Sequence, residues 1–320
     1  MKNIFQYNRL LLLLLLPVAV SSCKKDFLEI TPKGKLIAET TGDYDKLLNN
    51  LDYMTLVFSF GGGSSQVLLG DEVAAVEPYF SGAALHTQRL FRWDAVIYEP
   101  DEDAEEMAVP MKSLYSFNKI INEIADATDG TEQQKRSIKA EALAGRAWTY
   151  FLLINYYGKP YNEATSADDA GFPIITAADV TETRFTRASV KAVYDFIVED
   201  LKAAIPDLPV QLTHRLRMSK AAAEGLLGKV YMFMGRFNDA LPLLNASITD
   251  MASGKLPAGL YDYTAAFTAP DGAFLPIGLF GPGYPSAYDN QESLYAKQFI
   301  NSWTFSNNEI VITPQTAGLY

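Results

Sequence analysis

A single cysteine, two histidines and three tryptophans serve a chain of 320 residues, and its 27 lysines and arginines are outnumbered by 38 aspartates and glutamates. Each shortage closes off a class of function. One cysteine forms neither an internal disulfide nor a Cys-x-x-Cys zinc or redox motif. His86 and His214 stand far apart with no His-Glu-x-x-His, so zinc chemistry finds no ligand set. Ser-His-Asp catalysis would have to use one of those two histidines, and a lone histidine is more often structural. A formal charge of −11 speaks against nucleic acid, because phosphate binding needs clustered lysine and arginine. Long apolar runs are also scarce. The longest, Leu10 to Leu16, falls far short of the ~20 residues that span a bilayer.

That short run has another meaning. Lys2 and Arg9 precede it, and Val20-Ser21-Ser22-Cys23 follows. Positive residues, an apolar segment and a small-residue site compose a secretory signal, here residues 1–22. A cysteine directly after two small residues is the pattern of a bacterial lipoprotein, whose thiol carries the diacylglycerol. Cys23 is therefore the expected lipidation site. Acyl chains, at ~0.8 kcal/mol per buried methylene, would hold the mature chain 23–320 on a membrane. Its charge, without Lys2 and Arg9, falls from −11 to −13.

Aromatic residues are plentiful, with 18 tyrosines and 18 phenylalanines. After a turn at Pro32 and Gly34, Asp43 is expected to cap a short helix to about Tyr53, with Tyr44, Leu47, Leu48 and Leu51 on one face. Residues 58–110 look irregular. Gly61-Gly62-Gly63-Ser64-Ser65 lacks the Gly-Lys-Ser/Thr ending of a phosphate loop and reads as a plain loop. Asp71, Glu72, Asp101, Glu102, Asp103, Glu105 and Glu106 lack EF-hand spacing and read as solvated acidic loops.

Helical periodicity dominates residues 111–252. Leu114, Phe117, Ile120, Ile121 and Ile124 recur at three- and four-residue steps until Asp129-Gly130. Thr131 and Gln134 form a capping box for a long helix to Tyr157, whose apolar stripe includes Ala140, Leu143, Ala144, Ala147, Trp148 and Phe151. Ser189 opens a third helix ending at Pro206, and Ser219 a fourth ending near Gly235; a fifth covers Phe237 to Met251. Gly228, Tyr231, Gly235, Phe237 and Ala240 have the spacing of a tetratricopeptide hairpin. Gly228 and Ala240 would allow close approach, Tyr231 and Phe237 would fill the gap beside the turn, and Gly235 would permit it. One hairpin cannot bury its own faces, so the preceding helices should stack on it. Residues 254–320 read as irregular again, apart from a strand-like Glu309-Ile310-Val311-Ile312.

Several stretches together resemble the SusD/RagB nutrient-binding lipoproteins of Bacteroidetes. They are Cys23-Lys24-Lys25-Asp26-Phe27-Leu28-Glu29, Tyr44 to Asn49, Lys139 to Pro160, Arg187 to Pro209, Ser219 to Arg236 and Asn307 to Val311. The resemblance implies a mostly α fold, with tetratricopeptide-like repeats packed against an irregular, loop-rich ligand-binding region. It implies a non-enzymatic lipoprotein without cofactor or metal, on the extracellular face of the outer membrane. Its partners would be an oligosaccharide or other nutrient and a SusC-like TonB-dependent transporter. The chain stops soon after Asn308-Glu309, so the family's C-terminal part is expected to be missing.

A glycan site needs exposed aromatic platforms beside planar polar groups. The resemblance places part of it in the stretch holding Arg92, Trp93, Asp94 and Tyr98, with Trp93 the first choice. Tyr284, Tyr288 and Trp303 come second. The competing reading of Trp93 is that it packs its loop onto the helices. Trp148, inside an apolar stripe, should be core. Two other functions stand beside glycan capture: a tetratricopeptide adaptor for outer-membrane assembly, and a glycosidase using some pair among the many carboxylates.

Overall fold

A computed structural model describes residues 38–50, 59–60, 63–64, 68–104, 107–210, 214–273, 291–296 and 309–319. The chain divides into two units, Met1–Glu39 and Thr40–Tyr320. Of the first, only residues 38–39 are described, and everything below concerns the second.

In chain order the elements are α1 (Thr41–Leu47), β1 (Ser59–Phe60), β2 (Gly63–Ser64), β3 (Val73–Ala75), α2 (Leu85–Phe91), α3 (Ala108–Glu123), α4 (Glu132–Tyr157), α5 (Val190–Ala204), α6 (Lys220–Phe233), α7 (Phe237–Ser253), α8 (Tyr263–Ala266), β4 (Ile310–Ile312) and α9 (Pro314–Ala317). The expected mostly α architecture is what is found. No helix among the described residues is long and apolar enough to cross a membrane.

The starts of the long helices follow from their capping chemistry. Thr131 and Gln134 close the foreseen capping box on α4, each satisfying an amide that the first turn leaves orphaned. Ser189 and Ser219 cap α5 and α6 through their hydroxyls. At α1 the expectation needs correction. Thr40 is the cap, and Asp43 is the third helical residue, whose carboxylate reaches back to Thr40. The helix ends at Leu47, well before Tyr53; residues 51–53 lie outside the described residues. The α3 helix begins at Ala108, three residues earlier than its apolar pattern suggested. Pro110 is accommodated there because first-turn amides have no intrahelical acceptor to lose.

Helices α3 to α7 pack each against its neighbour in sequence, and the core lies along that stack. Tyr150, Leu153, Tyr194, Ile197, Leu201 and Leu227 are fully buried, at about 1.5–3 kcal/mol for each large aliphatic side chain. Trp148 sits at the rim, partly buried against the core and edge-on to Tyr295 at 6.0 Å.

Helix α6 packs closely against α7. A Cβ at Gly228 would come within 2.8 Å of the Leu244 side chain, so a larger residue there would force Leu244 to shift. Gly235 turns the chain at φ +72°, a left-handed conformation that other L-residues adopt at a cost. Tyr231 is buried as expected, under the Arg236 guanidinium at 4.3 Å. Phe237 is not. It is 65% exposed, on the outer face of α7 with Leu241 and Ile248, so it fills no gap beside the turn. Ala240 and Ser247 occupy the buried face of the helix instead.

The region 58–110 is less irregular than its sequence suggests. Besides α2 it contains β3, which pairs antiparallel with β4 in the register Val73–Ile312, Ala74–Val311 and Ala75–Ile310. This short sheet closes a second, small core of Leu68, Val73, Phe80 and Ile310, onto which Leu90 and Phe91 of α2 pack. Phe91 meets Phe80 edge-to-face at 5.0 Å.

Two charged networks lock the helices together. Arg146 on α4 binds Asp200 on α5 through two hydrogen bonds of 2.8 Å. It donates a third, also 2.8 Å, to Asn118 on α3 and lies over the Phe196 ring. Asn118 in turn donates to the carbonyls of Ile175 and Ala177. Burial pushes the Asp200 carboxyl up by more than Arg146 pulls it down. In the second network Arg217, just before α6, binds Glu141 on α4 at 2.6 and 2.9 Å and Asp45 on α1 at 2.8 Å.

Removing one partner of a buried pair strands the other. Arg146→Met should therefore cost about 3–5 kcal/mol in denaturant unfolding. The double variant Arg146→Met/Asp200→Leu should recover part of this. It should stay about 1–3 kcal/mol below wild type, because Asn118 loses its donor. A single variant as stable as wild type would refute the role given to this pair.

Candidate functional site

The exposed aromatic that the sequence singled out stands at the C-terminus of α2. This helix ends in a paired backbone motif: the Trp93 N–H donates to Leu90 O at 3.0 Å, and the Asp94 N–H to Arg89 O at 2.9 Å. The motif requires a left-handed residue directly after the helix cap, a position glycine usually takes. Here it is Trp93, with φ 57°. A left-handed L-residue costs roughly 1–2 kcal/mol. The conformation turns the side chain out, and Trp93 is 70% exposed. It does not pack the loop onto the helices.

The neighbouring side chains hold this arrangement. Arg92 Nε and Nη2 donate to Asp94 Oδ2 at 3.3 and 3.1 Å, and its Nη1 donates to Gln88 at 3.3 Å. One turn back, Arg89 grips the following loop, donating to the Ile97 carbonyl at 2.9 Å and to Glu102. The Glu99 amide also donates to Glu102 and, together with Arg89, keeps that carboxyl below the usual range. Tyr98 stacks on His86, ring centroids 6.1 Å apart at an interplanar angle of 10°. His86 and Arg89, three residues apart on one face of α2, thus hold the loop from 93 to 102 at two points.

Arg92, Trp93 and Asp94 follow one another at the end of α2, where Arg92 binds Asp94. Tyr98 is close in sequence, but its ring lies against His86, partly buried, instead of beside the indole. Tyr284, Tyr288, Trp303 and Cys23 lie outside the described residues. The sequence reading missed Arg89 and His86, for which only the three-residue spacing gave a sign. It also missed the left-handed cap, because Arg-Trp-Asp carries no glycine to mark one.

Two other places merit comparison. A cleft of about 380 Å³ lies between the end of α7 and residues 258–260 and 291–292. Its walls are aliphatic, from Ile248, Met251 and Leu260. Gln291 at its edge donates to Leu260 O, and Glu292 accepts the Tyr261 amide. Among the described residues that line it, none is aromatic. The second place is a carboxylate pair, Glu224 with Asp250, near Lys220. Burial first, and Asp250 second, raise the Glu224 carboxyl. Glu224 is buried on α6 and, among the described residues, lines none of the clefts.

A SusD-like family model, described as starch-binding and associating with outer membrane, matches residues 26–232, and Trp93 falls inside the match. Among solved structures, a SusD superfamily protein from Bacteroides vulgatus superposes with a TM-score of 0.58 at 25% identity, covering 72% of this chain and 52% of that one. A Bacteroides vulgatus protein described as a proposed sugar binder gives 0.64 at 20% identity, over 89% and 63%. A laminarin-binding SusD-like protein gives 0.52 at 21% identity, over 73% and 47%. The latter two likenesses concern the fold. This chain spans between 47% and 63% of the length of these three structures. No curated protein matches it.

Glycine fits the left-handed position that tryptophan occupies at a cost, and an exposed indole contributes little core. Trp93→Gly should therefore melt near wild type, and about 1 kcal/mol above Trp93→Ala, which keeps the strain. A loss of roughly 3 kcal/mol or more in Trp93→Gly would instead mark a packed residue.

Proposed function

The chain belongs to the SusD-like family, and on that premise we propose that it is a lipid-anchored outer-membrane protein that captures a glycan and hands it to a TonB-dependent transporter. The observation that carries this reading is the exposed indole of Trp93, held outward by a helix cap that would tolerate glycine better. A sugar ring presents an apolar face of C–H groups, which stacks on an indole, and a rim of hydroxyls, which needs planar acceptors and donors. Asp94 and Arg92, next to Trp93 in the chain, would supply both. Tyr98, stacked on His86, would serve the site by holding its loop. The binding of laminarin by a structurally similar protein supports the glycan class. Cys23, as the acylated residue, would keep the protein at the membrane, with the signal 1–22 removed. Tyr284 and Trp303 remain proposed contributors to the same site.

The adaptor reading draws on one observation, the exposed apolar face of α7 at Phe237, Leu241 and Ile248. Such a face suits a protein partner. It does not account for the outward indole on α2.

One experiment on intact cells addresses anchor and ligand together. Cells making wild type, Cys23→Ser or Trp93→Ala are labelled with fluorescent laminari- and malto-oligosaccharides, and surface protein is quantified by antibody. Wild-type cells should bind glycan. Cys23→Ser should be released to the medium as a binding-competent protein. Trp93→Ala should stay at the surface and bind at least about tenfold more weakly, a loss of roughly 1.4 kcal/mol. Undiminished retention of Cys23→Ser would overturn the anchor, and undiminished binding by Trp93→Ala would overturn the site. An adaptor would leave all three strains unlabelled.

A further inference from the structure

Resting on the glycan reading of Trp93, we infer that this platform selects uncharged glycans and rejects uronates and other polyanionic chains, with Asp94 the principal determinant. The stretch from Leu85 to Ala104 contains two arginines against five carboxylates, a net of −3. Both cations are already engaged. Arg92 forks onto Asp94, and Arg89 is shared by Glu102, Glu99 and the Ile97 carbonyl. Neither therefore offers an open guanidinium fork to a ligand carboxylate or sulfate, the arrangement by which proteins usually recognise such groups.

The carboxylates keep their field. Glu99, Asp101, Glu102 and Asp103 are exposed, and among the described residues neither Asp101 nor Asp103 takes part in an ion pair. A neutral sugar loses nothing here, because its hydroxyls donate to carboxylate oxygens. A uronate stacked on Trp93 would bring its own charge into that field. Like charges at a binding surface act as an element of discrimination against the wrong ligand. At 0.15 M salt the screening length is about 8 Å, comparable with the width of such a site, so the repulsion survives under ordinary conditions.

The test is an array of neutral hexaoses (laminari-, malto-, manno- and xylo-) against hexagalacturonate and hexamannuronate, probed with the intact protein at 50 and 500 mM NaCl. Binding should be confined to neutral members at 50 mM, by at least about tenfold. Added salt should narrow the gap, since screening shortens to about 4 Å at 500 mM, while neutral affinities stay within roughly twofold. Asp94→Asn frees Arg92 and leaves the Asp94 backbone bond in place. It should raise uronate affinity relative to neutral glycan by about tenfold. The triple variant Glu99→Gln/Asp101→Asn/Asp103→Asn should shift preference the same way without touching the cap. Uronates binding the wild type as tightly as neutral hexaoses at low salt would overturn the charge selection and leave glycan capture standing. No shift in either variant would equally overturn it. An array on which nothing binds would refute the glycan reading itself, and this inference with it.

Discussion

The bidentate pair between Arg146 and Asp200 is the contact on which the helical stack depends. It joins α4 to α5, and through Asn118 it joins α3 and the Ile175–Ala177 segment as well. Both charges are almost wholly buried, and burial pushes Asp200 up despite its partner. A pair of this kind contributes little net stability compared with apolar packing, and it punishes every arrangement in which one charge lacks the other. Apolar stripes on neighbouring helices can slide past one another by a turn at modest cost. A three-way hydrogen-bonded guanidinium cannot. The pair therefore fixes register, and the second network, Arg217 with Glu141 and Asp45, fixes where α1 lies against α4.

The proposed binding surface follows a different physical rule. It rests on a small core of Leu68, Val73, Phe80 and Ile310, closed by two strands from far ends of the sequence. Leu90 and Phe91 fasten α2 there, and the helix end then turns Trp93 outward. Little stability is gained at this point: a bulky residue in a left-handed cap opposes folding, and an indole left in water contributes no burial. Such strain persists only where its surroundings hold it, here by Arg89 and the His86–Tyr98 stack.

Legibility from sequence followed the range of the interactions. Thr131 with Gln134, Ser189, Ser219 and Gly235 announced helix ends because caps and turns are read within four residues. Gly228 announced a close contact because its neighbours carried the hairpin spacing. The misjudged positions were those where one face competes with another. Phe237 looked like a gap filler by spacing, but it falls on the outer face of α7 with Leu241 and Ile248. Asp43 looked like a cap because the hydroxyl of Thr40 before it was overlooked. The β3–β4 pairing was not readable, since three-residue strands more than 200 positions apart carry no signal of their register. Trp93 was chosen on residue type and resemblance. Its exposure came from a left-handed backbone that nothing in Arg-Trp-Asp announces.

The most direct measurement is oxidative footprinting of Trp93 in the intact protein, read by peptide mass spectrometry with and without a bound neutral hexaose. The indole should be modified far faster than the buried Tyr150 in the free protein, and should be protected severalfold when glycan is bound. Slow modification without ligand, or rapid modification unchanged while glycan is demonstrably bound, would contradict the placement of the binding platform at the end of α2.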